Sequence, residues 1–199
     1  MNAVASSDRR TDILQAALAC FQEVGIEATS IDMVRQRSQA SVGSIYHHFG
    51  SKEGIVAALY FDALDAQTHS MGKALAKAKD ARGGVRGLVL GYVDWIMADP
   101  DRARYLFEAR ALVAQGPQAD LLKQRALARN AALLAWFQPY RDQGALVNVP
   151  CELMPALVLG PAQSYCRAWL HSPDGMSAPK RFREALADAA WRAVGQLPA

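Results

Sequence analysis

Three helix-start signals crowd into one short stretch of this chain, and they restrict what it can fold into more than anything else in the sequence. Thr29-Ser30-Ile31-Asp32 reads as a capping box with Asp in the acidic position, Ser41 follows Ser38-Gln39-Ala40, and Ser51 leads Lys52-Glu53. Only short helices fit between such signals. The first runs from Ser30 to about Arg37 with Met33 and Val34 inward, and the second from Val42 to His48, burying Ile45 and Phe49 before Gly50 ends it. A tight turn joins them.

Helical periodicity holds along the rest of the chain. Behind Ser7 as N-cap, Ile13, Leu14, Ala17, Leu18 and Phe21 form one apolar stripe, and Gly25 suits the left-handed position that closes the helix, with Ile26 folding back onto Phe21. After Ser51, apolar residues Ile55, Val56, Leu59, Ala63, Met71 and Leu75 carry a helix to about Lys79, a rod of roughly 40 Å. Val85, Leu88, Val89, Tyr92, Val93 and Ile96 make the next stripe. Asp99-Pro100 then pairs an N-cap with Pro at the first helical position, and further helices span about Pro100–Leu112 and from Gly116-Pro117 to about Tyr140. A loop covers 141–149, and Pro150 opens a helix that Pro155 and Pro161 make irregular. The last helix spans Lys180–Gln196. No strand pattern or repeat interrupts this, so the expected fold is all-α with about nine helices. The expected division is a three-helix domain at 1–54 and a larger helical domain at 55–199.

Composition excludes several classes. No uncharged apolar stretch approaches the ~18 residues needed to cross a membrane, and Met1 to Arg10 lacks the apolar core of a secretory signal, so a cytoplasmic chain without a membrane partner is expected. Cys20, Cys151 and Cys166 form no CxxC pair, which leaves neither a disulfide framework nor a zinc site, only apolar thiols. The adjacent His47-His48 pair does not suit a metal either, because successive helical residues diverge by about 100°, and His48 is expected to pack beside Phe49. No nucleophile elbow, phosphate-binding glycine loop or HExxH motif marks an enzyme, and no cofactor is implied. The net charge of +3 leans toward nucleic acid, yet residues 1–55 hold five basic groups against six acidic ones. DNA binding has to follow from geometry instead.

Two short helices with a tight turn, the second led by a hydroxyl cap, meet the demands of a helix-turn-helix, whose recognition helix presents its first residues to base edges. Residues 10 to 55 also resemble the N-terminal domain of the tetracycline-repressor (TetR/AcrR) family of bacterial regulators. The resemblance rests on Ile13-Leu14, Ala16-Ala17, Phe21, Gly25, Thr29-Ser30, Met33-Val34, Ser41, Gly43, Ile45-Tyr46, His48-Phe49 and Ser51-Lys52-Glu53. One departure lies in the turn, where the family usually has Ala-Gly-Val and this chain has Ser38-Gln39-Ala40. Gln39 then either bears left-handed strain of up to about 1 kcal/mol or reaches DNA.

From their positions, Val42 and Ser44 offer a methyl contact and a hydroxyl to bases, and Gly43 permits close approach. The resemblance implies that Tyr46 and His47 touch phosphates or base edges, that Thr29 and Ser30 anchor a phosphate, and that Lys52 pairs with another. Each has a structural alternative: Ser30 and Ser41 as caps, Tyr46 as packing, His47 as a solvated side chain. The resemblance also implies a body that encloses a small apolar or aromatic effector. Candidate walls are Tyr92, Trp95, Tyr105, Phe107, Trp136, Phe137, Tyr140, Tyr165 and Trp169, with core packing as the alternative for each. Small residues recur every four positions at Gly160, Ser164 and Ala168 and at Ala185, Ala189 and Ala193. Such stripes let helices approach closely, and by resemblance they pair with their copies in a symmetric homodimer on a palindromic operator. The sequence thus describes a ligand-responsive regulator, most simply a repressor; the alternative is a helical ligand-binding module with weak or lost DNA recognition.

Overall fold

A computed structural model describes residues 2–196 of the chain, and side chains from residue 9 onward within that range. Nine α-helices form among the described residues: α1 Asn2–Val24, α2 Ile31–Ser38, α3 Val42–Phe49, α4 Lys52–Ala76, α5 Ala81–Ala98, α6 Pro100–Gln115, α7 Ala119–Asp142, α8 Met154–His171 and α9 Arg183–Val194. They divide between two compact units. The first joins the chain up to Leu64 to Tyr105–Leu122, and the second takes Asp65–Arg104 and Lys123 onward.

In the first unit, α1 buries Ile13, Leu14, Ala17 and Phe21, the stripe expected from its periodicity. It begins at Asn2, so Ser7 lies inside the helix instead of capping it; no Gly or Pro in the preceding residues stops the helix from extending. Gly25 closes it at φ +85°, and its N–H donates to Phe21 O at 2.9 Å. The cap of α2 is Ser30, whose Oγ accepts from Met33 N–H at 3.2 Å. The box expected at Thr29 does not form: the cap lies one residue later, and Asp32 binds Arg35 and Gln36, both at 2.7 Å, instead of reaching back.

The turn contains Gln39 at φ 53°, ψ 24°, in the left-handed region, followed by buried Ala40. Ser41 Oγ accepts from Ser44 N–H at 3.1 Å and starts α3, and Gly50 ends it at φ +73° with its N–H on Tyr46 O at 2.9 Å. Ile45 is buried. Phe49 is only half-buried, its outer face covered by the Arg10 guanidinium at 5.8 Å from the ring centroid. Ser51 caps α4 through Gly54 N–H at 3.1 Å. From α6, Tyr105 stacks on Phe21 at 5.6 Å and donates its hydroxyl to Val56 O at 2.8 Å, which fixes the first turns of α4.

In the second unit α5, α8 and α9 pack on one another. The stripe Val85, Leu88, Val89, Tyr92, Val93 and Ile96 is buried as its spacing predicts. Trp136 of α7 lies directly on Gly84, where an added Cβ would fall 2.1 Å from the ring. The irregular start near Pro150 is a single 3-10 turn over Cys151–Leu153, after which Pro155 sits in the first turn of α8 and Pro161 within it. On α9, Ala187, Ala190 and Val194 face inward, and Arg183 reaches Asp94 at 2.5 Å while Arg86 holds Glu184 and Asp188. An isolated antiparallel bridge joins Leu146 to Gly195. All three cysteines are free, with Cys20 and Cys166 buried and Cys151 half-buried beside Arg141.

Candidate nucleic-acid interface

Helix α3 is held by one side and shown by the other. Buried Ile45, Val34 and Ala40 fasten it to the first unit, while Val42 at 45% and Tyr46 at 50% exposure stand outward with Gly43 and His47. Positions i, i+1, i+4 and i+5 of a helix fall on one face, so these four side chains form a continuous surface. Ser44 is half-buried beside them. An added Cβ at Gly43 would meet only Ser41 Oγ, at 4.0 Å, so nothing within the chain demands glycine there. Its missing side chain leaves the start of α3 flat toward an outside surface.

The flanking residues divide into exposed groups and supports. Ser30, Gln39 and Ser41 are exposed, and the caps made by Ser30 and Ser41 leave each hydroxyl hydrogen available to an acceptor. Thr29 is 2% exposed and its hydroxyl donates to Gly25 O at 2.8 Å. That side chain steadies the loop instead of facing outward, a correction to its expected place beside Ser30. Lys52 donates from Nζ to Glu27 O at 2.6 Å, which uses one of its three N–H bonds and fixes where its charge sits. Arg35 pairs with Asp32 at 2.7 Å and Arg37 with Glu23 at 2.5 Å. Both arginines of α2 thus spend their charge on carboxylates of this segment, and the Arg37 hydrogen bond holds the Glu23 carboxyl below its usual range. His48 packs at 5.9 Å from Phe49, as its place in the sequence suggests.

Sequence reasoning missed two supports of this surface. At Gly54 an added Cβ would fall 1.8 Å from Phe49 O, so the close passage of α4 under the end of α3 depends on glycine. The signal was a glycine three residues after the Ser51 cap. Tyr105, read as a pocket wall, belongs with Phe107 to the first unit, because that part of α6 packs there. Apolar spacing along α6 does not reveal which unit it joins.

The other seven aromatic candidates lie in the second unit: Tyr92, Trp95 and Phe137 are buried, and Trp136, Tyr140, Tyr165 and Trp169 half-buried. Trp136 contacts Phe137 and Tyr140 at 5.0 and 4.9 Å, and Tyr165 donates to Ser177 O at 2.9 Å. The Tyr92 hydroxyl is buried with no hydrogen-bond partner among the described residues. Burial raises its pKa, and the nearby Cys166 thiol acts in the same direction. On the small-residue stripes, Ser164, Ala168, Ala185 and Ala193 are exposed and Gly160 and Ala189 half-buried. A Cβ at Gly160 would meet nothing within 4 Å.

A capped, outward-facing α3 packed on α2 through a three-residue turn defines a helix-turn-helix protein, here with a helical second unit. Residues 13–59 match the family model described as bacterial regulatory proteins, tetR family. Those residues therefore form a domain similar to the N-terminal domain of tetR-family regulators. It is 33% identical over 109 residues to the transcriptional repressor KstR2 of Rhodococcus jostii, covering 54% of this chain and 53% of that protein. It is 32% identical over 90 residues to the transcriptional regulator BetI of Burkholderia lata, covering 43% and 45%. The chain thus spans about half the length of the curated relatives it matches. A solved TetR-family regulator from Marinobacter aquaeolei VT8 shares the fold over 96% of this chain and 97% of its own, with a TM-score of 0.77 at 20% identity.

Proposed function

We propose that this chain is a ligand-responsive transcriptional repressor that binds a palindromic operator as a homodimer. The observation that carries the reading is the outward face of α3, where Val42, Gly43, Tyr46 and His47 stand free while Ile45 anchors the helix from behind. Val42 offers a methyl surface to thymine, Ser44 and Gln39 offer hydrogen bonds to base edges, and Gly43 lets the backbone approach. Ser30, Ser41, Tyr46, His47 and Lys52 then supply donors to phosphates, which set register but carry little sequence information.

Dimerisation through α8 and α9 is supported by the outward small-residue stripes, since a two-fold axis there pairs like with like. Two recognition helices then address half-sites about one helical turn apart. An effector of apolar or aromatic character fits the second unit's aromatic side chains, and the Tyr92 hydroxyl is a polar tip available to it. Helix α4 carries the response, changing the separation of the recognition helices and lowering DNA affinity. Repression follows by exclusion of polymerase, which places the protein in the cytoplasm with the chromosome. Footprinting of the DNA flanking its own gene tests this: a protected palindrome at moderate salt is expected, and uniform cleavage at micromolar protein overturns it.

A second reading, a ligand-binding module that has lost DNA recognition, draws on the pairing of Arg35 and Arg37 with carboxylates. It predicts that Tyr46→Ala and Lys52→Ala leave DNA affinity unchanged.

A further inference from the structure

A cleft of about 190 Å³ opens in the first unit, walled by Ile26, Val56, Leu112 and Val113. Every residue lining it belongs to that unit, so it is separate from any effector site among the aromatic residues of the second. An apolar cavity of ~150 Å³ accepts benzene, so this one has room for a single ring or a short branched chain.

The charged groups at the cleft are unequal. Lys52, Glu27 and Glu53 line it together, two carboxylates to one ammonium. The ammonium is already tied to Glu27 O at 2.6 Å. The Glu53 carboxylate accepts from its own backbone N–H and from Ser51 at the start of α4, which holds it ionised below the usual range. The Glu27 carboxylate has no partner among the described residues. An anion entering this cleft meets surplus negative charge and a neutral molecule gains only apolar contact, whereas a cation with an apolar body gains both.

We infer that the cleft is a binding site for a small amphipathic cation, one aromatic ring or short alkyl chain ending in an ammonium group, with Glu27 as its counter-ion. This goes beyond the proposed effector reading, because the site lies inside the DNA-facing unit, between the α1–α2 loop, the first turns of α4 and the end of α6.

The test is an amide chemical-shift titration of the full chain with three matched probes: benzylammonium, benzyl alcohol and benzoate. Saturable shifts at Val56, Ala57 and Val113 with benzylammonium are expected, with benzoate roughly tenfold weaker. Glu27→Gln, at an exposed position, lowers benzylammonium affinity about two- to fivefold and leaves benzyl alcohol unchanged. Leu112→Ala weakens all three probes by a similar factor of about two. The inference is overturned if benzoate binds as tightly as benzylammonium, if the shifts fall outside the cleft, or if Glu27→Gln has no effect.

Discussion

Gln39 sits at φ 53°, the single positive value among the described non-glycine residues. An L-residue there carries about 1 kcal/mol of strain, part of which glycine would return as added freedom of the unfolded chain. Gln39→Gly should therefore raise stability by about 0.5–1 kcal/mol in urea unfolding, and Gln39→Val should lower it. Gly54 works in the opposite sense. A methyl group 1.8 Å from Phe49 O forces α3 and α4 apart, so Gly54→Ala should cost about 1–3 kcal/mol by the same measurement. The cysteines offer a third check at this scale. Timed iodoacetamide labelling at pH 8, read by peptide mass spectrometry, should modify half-buried Cys151 first and Cys166 last, because burial pushes the Cys166 thiol up to about 12. Single residues were legible where a local rule acts alone: the Ser41 and Ser51 caps and the left-handed Gly25 follow from backbone chemistry within a few positions, whereas the conformation of Gln39 stayed open. Thr29 was not legible, because two hydroxyl residues in succession offer two possible caps, and only the fold shows that Ser30 takes the role.

At the scale of elements, α3 is two turns long and owes its start to one hydroxyl. Ser41→Ala should reduce stability by about 1 kcal/mol and weaken operator binding more than stability alone explains, since the lost hydroxyl also faces outward. Chemical denaturation paired with fluorescence anisotropy checks both; equal losses in the two would assign Ser41 to capping only. Most helices were legible because their apolar stripes, as in α1 and α5, repeat with the helical period and end at Gly or Pro. Partnership between helices is not carried by periodicity. The apolar residues of α6 lie on several of its faces, and the helix from Tyr105 onward packs in the first unit while its opening residues, up to Arg104, pack in the second. That assignment depends on long-range contacts such as Tyr105 with Val56 O.

For the whole molecule, Ser164 and Ala168 of α8 and Ala185 and Ala193 of α9 are small and exposed, and a second copy accounts for that most simply. Light scattering after size exclusion should give twice 21.6 kDa, and Ala168→Arg or Ala193→Glu, both at exposed sites, should return the mass to a single chain with helicity unchanged. A monomeric parent protein would remove the dimer from the account. The most direct measurement concerns α3 itself: fluorescence anisotropy of the full chain on its operator across a salt series, with Tyr46→Ala and Lys52→Ala beside the parent. Lys52→Ala should reduce the slope of log affinity against log salt by about one, and Tyr46→Ala should weaken binding about tenfold or more. Parent-like affinity and salt slope in both variants would contradict a DNA-binding role for α3.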